Sequence, residues 1–237
     1  MKETTSYTRI ALLMLIALLL STCGSPGSGL QEVTLPMGYV ANVQFSPFYV
    51  AMERSYFEEA GFDLTFDYRW ETDGIRLVAA GELPFTLASG DQVIQARSQG
   101  LPVVAVCSWY RRFPVAVVSL DDLPLETPAD LQGLSIGIPE TFGASYIGLQ
   151  ALLEEGGLTE ADIDLQVIGY TQIAALTAGT VDAVVVYANN APAVLEQEGI
   201  AYNALYVADY ASLVSNALVT SESTIEERPE EVEAFVG

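Results

Sequence analysis

The 237 residues leave room for one large domain or two small ones, and they carry 31 acidic side chains against 9 basic ones, no histidine, one lysine (Lys2) and two cysteines (Cys23 and Cys107). A Ser-His-Asp or Cys-His nucleophile then has no imidazole base, a Schiff base or Walker-type phosphate loop has no lysine beyond Lys2, and no His/Cys cluster offers a zinc site. A net charge of −22 leaves little room for a basic face that would bind nucleic acid, while a hydrophobic content of 51% excludes a disordered acidic tail.

Lys2 and Arg9 flank a polar start that leads into 11 unbroken apolar residues, Ile10 to Leu20. That run is short of the roughly 20 residues that span a bilayer and suits the core of an export signal. Leu20-Ser21-Thr22-Cys23 then resembles a lipobox, so 1–22 is expected to be a lipoprotein signal peptide and Cys23 the lipidated residue. The Gly/Ser/Pro stretch over 23–30 is expected to be a flexible tether. Without 1–22 the chain keeps 7 Arg and 30 Asp+Glu and no Lys. With Cys23 lipidated, Cys107 has no disulfide partner, and its apolar run Val103-Val104-Ala105-Val106 predicts a small buried hydrophobe.

From Gln31 onward, strand and helix patterns alternate. Strands are predicted over 33–37, 63–68, 85–87 and 103–107, and helices over 47–60, 75–80 and 91–99. Glycines 61, 81 and 100 stop those helices. The pattern restarts after Arg111-Arg112-Phe113-Pro114. Strands are expected over 115–120, 134–138, 165–168 and 183–187, with a loop over 121–128 and a short helix over 128–131. Helices are expected over 144–155, 172–178 and 191–198, then a strand over 213–219 and a last helix from Thr224. A local echo links the halves: Leu77 to Phe85 and Leu176 to Val184 each read as helix end, glycine stop, tight turn and strand. The succession predicts α/β architecture with largely parallel sheets and helices on both faces.

In such sheets a ligand sits beyond the C-terminal strand ends. The residues expected there are Asn42, Gln44 and Phe45, then Trp70 and Glu71, Ser89 and Asp91, and Trp109 and Tyr110. Farther along come Phe142, Ala144, Ser145 and Tyr146, then Tyr170, Tyr187, Asn189 and Asn190. Aromatic side chains offer large contact area for flat rings, with a polar handle on Tyr and Trp. Each position has a plainer reading. Trp109 and Tyr110 can pack at a strand end, and Ser89 and Asp91 can cap the helix that follows. Phe142 to Tyr146 can open a helix whose N–H groups receive an oxygen, or can form a simple turn. Arg111 and Arg112 read as ion-pairing residues at a crossing between halves, with an anion-binding role as the alternative.

Four segments carry a family resemblance: Gly38-Tyr39-Val40-Ala41-Asn42-Val43-Gln44-Phe45-Ser46-Pro47-Phe48-Tyr49, Leu87-Ala88-Ser89-Gly90-Asp91, Gly137-Ile138-Pro139 with Phe142-Gly143-Ala144-Ser145-Tyr146, and Tyr187-Ala188-Asn189-Asn190. Together they resemble the solute-binding lipoproteins of ABC importers, in the branch of sulfonate, thiamine-pyrimidine and riboflavin binders. The stretch from Gly38 to Phe45 lacks the Trp and His usual in the pyrimidine binders and is more similar to the riboflavin-binding group. Ala191 stands where that family's pattern has Glu. The resemblance implies a type II periplasmic-binding-protein fold, with lobe 1 over 31–113, lobe 2 over 114–210 and a return to lobe 1 over 211–237. The crossings are expected near 112–115 and 210–215. The resemblance also implies a chain that continues beyond residue 237, and Phe235 and Val236 read as apolar residues without a partner.

The expected function is capture of a small heteroaromatic nutrient, riboflavin or similar, and its delivery to an ABC permease. A thiamine-pyrimidine precursor and a sulfonate or nitrate are the alternatives. The expectation includes a monomer held on the outer face of the cell membrane, with no cofactor, no metal, no nucleic acid and no catalysis. A two-carboxylate hydrolase using Glu71 and Asp91, and a non-functional remnant, are the rival readings.

Overall fold

Residues 29–237 are described by a computed structural model. The expected signal segment over 1–22, the expected lipidation at Cys23 and most of the tether fall outside the described residues. The chain opens with β1 (Gln31–Gly38), which pairs in parallel with β2 (Phe62–Trp70). Val33, Leu35 and Met37 alternate into the core, as the two-residue period of a strand requires. The helix expected over 47–60 is two pieces, α1 (Ser46–Glu53) and α2 (Tyr56–Glu59). Ser55 between them has φ 58, a left-handed conformation that no right-handed helix can continue through.

Next come α3 (Glu71–Ala79), β3 (Thr86–Ala88), α4 (Gly90–Ser98) and β4 (Val103–Ser108). Helix α3 starts at Glu71 rather than at 75. Gly74 hid its first turn, because glycine is a poor helix former. The position excludes a larger residue: a Cβ there would lie 2.2 Å from Thr86 Oγ1.

The second lobe runs β5 (Val115–Leu120), β6 (Ser135–Ile138), α5 (Gly143–Glu155), β7 (Asp164–Val167), α6 (Gln172–Thr177), β8 (Ala183–Tyr187), α7 (Ala191–Gln197), β9 (Tyr202–Tyr206) and α8 (Val207–Tyr210). Its five-stranded sheet has the order β7-β6-β8-β5-β9. Successive residues of β5 and β8 point to opposite faces and build two cores. Val115, Val117 and Val185 pack with Leu149, Leu152 and Leu153 of α5. Ala116, Val118, Val184 and Val186 pack with Leu176 of α6 and Leu195 of α7. Helices on both faces follow directly from that alternation. Strand β9 was not expected. It is a sheet edge in which Leu205 alone is buried, so its sequence carries no hydrophobic alternation.

The chain then returns. β10 (Ala217–Ser221) inserts antiparallel between β3 and β4 and is followed by α9 (Glu222–Glu227) and α10 (Pro229–Val236). The strand expected from 213 begins at Ala217, because 211–216 carry the chain between sheets. The other passage is 109–114, between β4 and β5. The sheets are mixed, but not mainly parallel as expected: of seven strand pairings among the described residues, four are antiparallel. All four involve β5 or β10, the strands that enter a sheet directly after a passage.

Two further expectations are corrected. Cys107 is exposed: β4 is an edge strand, and its pairing with β10 is irregular between Ala105 and Cys107. Phe235 does have partners: it is 7% exposed and its ring stacks on Phe85 at 4.2 Å, with Phe62 and Phe57 beside it. The echo between halves corresponds to a real likeness. After α3, Gly81 has φ 73 and Glu82 N–H donates to Leu77 O at 2.9 Å. After α6, Gly179 has φ 66 and Thr180 N–H donates to Ala175 O at 3.0 Å. Both are glycine-terminated helix ends of the Schellman type.

Candidate functional site

Strand ends from both lobes converge on a narrow cleft. From the first lobe, the loop after β1 supplies Tyr39, Gln44 and Phe45, and the β2–α3 junction supplies Trp70 and Glu71. From the second, the segment after β6 supplies Glu140, Phe142 and the first residues of α5, Gly143, Ala144 and Ser145. Tyr187 at the end of β8 and Asn216 on the return passage close it. The remaining space is narrow, ≈ 30 Å³.

Aromatic rings fill the cleft across the lobes. Tyr39 meets Tyr170 edge-on at 4.4 Å, Trp70 lies 5.4 Å from Tyr170, and Trp70 lies 6.0 Å from Phe142. Trp70 and Phe142 nonetheless remain 44% and 40% exposed. Such large, partly open rings are suited to a flat ligand.

Polar groups surround these rings. The Ser89 hydroxyl donates to Glu71 Oε2 at 2.6 Å. Ser89 occupies the N-cap position of α4 but makes no side-chain cap there, so the simple capping reading of this serine is corrected. Burial raises the Glu71 carboxyl to about 7, against the hydrogen bonds from Ser89 and with Asp91 and Glu140 adding to the rise. Glu140 is also raised to about 7, by burial. Two acceptor atoms on this wall are buried with no hydrogen-bond partner: Gln44 Oε1 and Glu140 Oε2. In the same cleft, Phe142 places no side-chain acceptor on the N-terminus of α5. A Cβ on Gly143 would lie 3.9 Å from Ser89 Oγ and 4.0 Å from Glu71 Oε2, so that helix end faces the first lobe across the cleft.

The expected site residues divide into groups. Gln44, Phe45, Trp70, Glu71, Phe142, Ala144, Ser145 and Tyr187 line the cleft, Tyr170 packs against its rings, and Ser89 stands behind Glu71. Asn190 lines a small adjoining hollow with Tyr39, Ser145 and Gln172. Trp109, Tyr110 and Asn189 line a different cavity of ≈ 320 Å³ beside the first passage, with Arg111 and Arg112. There Tyr110 bonds Asn189, and Arg112 pairs with Asp209 at 2.5 Å, the ion-pair role expected for it. Three more residues are not brought to the cleft. The Asn42 side chain accepts from Gln44 N–H at 3.1 Å and so shapes the loop. Asp91 accepts from Gln92 at the start of α4. The Tyr146 hydroxyl donates to Glu160 on the outside of α5.

Sequence reasoning missed Tyr39, Glu140 and Asn216. Tyr39 lies inside one segment singled out for the resemblance and Glu140 directly follows another, and their position after a strand was the available signal. Asn216 precedes β10 and bonds Tyr187 at 3.0 Å, a pairing with no local trace in the sequence.

The roomier hinge-side cavity and the tight cleft are alternative ligand sites. The cleft has the stronger chemical case, because it holds the unpartnered acceptors and the uncapped helix end. The hinge-side cavity offers one comparable atom, the buried Trp109 Nε1.

A family model described as NMT1/THI5 like matches residues 42–237. The chain is 41% identical over 210 residues to the riboflavin-binding protein RibY of Chloroflexus aurantiacus, an alignment covering 87% of this chain and 60% of that protein. It is 32% identical to the formylaminopyrimidine-binding protein of Halalkalibacterium halodurans, covering 96% and 71% respectively. Among solved structures, the periplasmic aliphatic sulphonate binding protein SsuA of Escherichia coli superposes with a TM-score of 0.66 at 16% identity, covering 87% of this chain and 66% of that one. That likeness supports the type II solute-binding fold. The chain therefore spans less than two thirds of the length of its riboflavin-binding relative.

Proposed function

The chain belongs to the NMT1/THI5-like family, and from that premise we infer that it is the extracytoplasmic substrate-binding component of an ABC importer. Its ligand is a small, flat, uncharged heteroaromatic nutrient, riboflavin or a close analogue. The observation that carries this reading is the inter-lobe aromatic cluster of Tyr39, Trp70, Phe142 and Tyr170, bordered by the unpartnered acceptors of Gln44 and Glu140. In this reading lobe 1 is 31–113, lobe 2 is 114–210, and 211–237 return to lobe 1. The lobes part at 109–114 and 211–216, ligand enters, and closure follows because ligand binds the closed state better. The partner is a permease of the importer. The protein acts as a monomer, tethered to the membrane through Cys23. Among the described residues no helix is long and apolar enough to cross a membrane.

The hydrolase reading is disfavoured by the site itself. The second carboxylate lining the cleft is Glu140, not Asp91. The Glu71 carboxyl is engaged by Ser89. A sulfonate ligand is disfavoured because no Arg or Lys lines the cleft.

A thermal-shift panel of riboflavin, an aminopyrimidine and an alkanesulfonate tests the proposal. Ligand at about a hundredfold above its dissociation constant adds about 2.7 kcal/mol, which is a rise of roughly 5–10 °C for a chain of this size. The account expects that rise with riboflavin. A rise with the sulfonate alone would contradict it.

A further inference from the structure

The cleft contains a chemical asymmetry that narrows the ligand class. Gln44 and Glu71 of the first lobe, and Glu140 just before α5 on the second, offer oxygen acceptors. Gln44 is 4% exposed, and its Oε1 has no partner, nor does Glu140 Oε2. An acceptor left buried and unpaired costs about 1–3 kcal/mol, so these atoms are suited to donors that arrive with a ligand. Next to Glu140, α5, 13 residues long, presents an N-terminus without a side-chain cap. Free helix N–H groups there attract a carbonyl oxygen or an anion. The two carboxylates set against that end oppose an anion, and no cation lines the cleft to compensate.

We propose that Gln44 and Glu140 are specificity-determining residues that read a ring N–H or amino group, while the α5 N-terminus takes an adjacent carbonyl or ring acceptor. This rests on the reading of the cleft as the ligand site. The class selected is an uncharged heteroaromatic ring whose edge alternates donor and acceptor, such as a cyclic imide or an aminopyrimidine. A ligand that places a sulfonate or phosphate between the lobes is rejected.

Calorimetric titration of the purified protein at pH 8 tests this with matched probes. The first pair is riboflavin and 3-methylriboflavin, which differ in one ring N–H. The second is 4-amino-2-methylpyrimidine and its dimethylamino derivative, and the last probe is ethanesulfonate. Riboflavin is expected to bind at least about tenfold more tightly than its methylated form, equivalent to about 1.4 kcal/mol. Gln44→Met should weaken riboflavin by a similar factor and leave 3-methylriboflavin within about twofold, an outcome that loss of packing alone would not give. Equal affinity for the two flavins, or binding of ethanesulfonate, overturns the inference. If only the aminopyrimidine binds and its dimethyl form does not, the flavin assignment falls and the donor-reading wall stands. If no probe binds, both fall.

Discussion

Glu71 and Glu140 hold their protons up to about pH 7 in the folded chain, well above the 4.5 of a free glutamate. The sign of the consequence is fixed. Below about pH 4.5 both groups are protonated whether the chain is folded or not. As pH rises toward 7, the unfolded chain releases protons that the folded chain keeps, so this contribution to stability is lost across that window. The melting temperature of ligand-free protein is therefore expected to fall between pH 5 and 7.5, and Glu140→Gln should make the fall shallower. Identical profiles for the variant and the parent would show that Glu140 does not carry this strain. These residues also mark a limit of the sequence. Glu140 is one of 31 acids, and only its place just after a strand distinguishes it from the solvated ones. Ser89 was legible as an N-cap residue, but the direction of its hydroxyl, toward Glu71, depends on a helix 18 residues away.

At the scale of elements, the segments with strong periodicity were legible. The buried faces of β1, β5 and β8 and the glycine-stopped ends of α3 and α6 all follow from local pattern. Elements defined by their neighbours were not. β9 exists because β5 offers it an edge, and the exposure of Cys107 follows from the place of β4 at the side of its sheet. Helix α10 belongs to the same class. Its Phe235 sits among Phe57, Phe62 and Phe85 and completes the core beneath β1 and β3. Phe235→Ala is expected to cost about 3–5 kcal/mol, read as a lower denaturation midpoint. A loss below about 1 kcal/mol would mean that α10 docks only loosely.

For the whole molecule, the decisive feature is the mismatch between the cleft and its proposed cargo. Trp70, Phe142 and Tyr170 pack against one another across the cleft, so a fused ring system enters only when the lobes separate and these rings part. Among the described residues, two passages, 109–114 and 211–216, resist that motion covalently. The ligand then replaces ring–ring contacts with ring–ligand contacts, and its affinity is the surplus of the second over the first. The strand-end motifs made the cleft legible in outline, while its closure on itself was visible only in three dimensions. Riboflavin supplies its own signal for the central claim. Stacked against Trp70 and the neighbouring rings, its fluorescence should be quenched with 1:1 saturation at micromolar protein, and Trp70→Ala should weaken that binding. Unchanged fluorescence at micromolar concentrations of both partners would contradict the account.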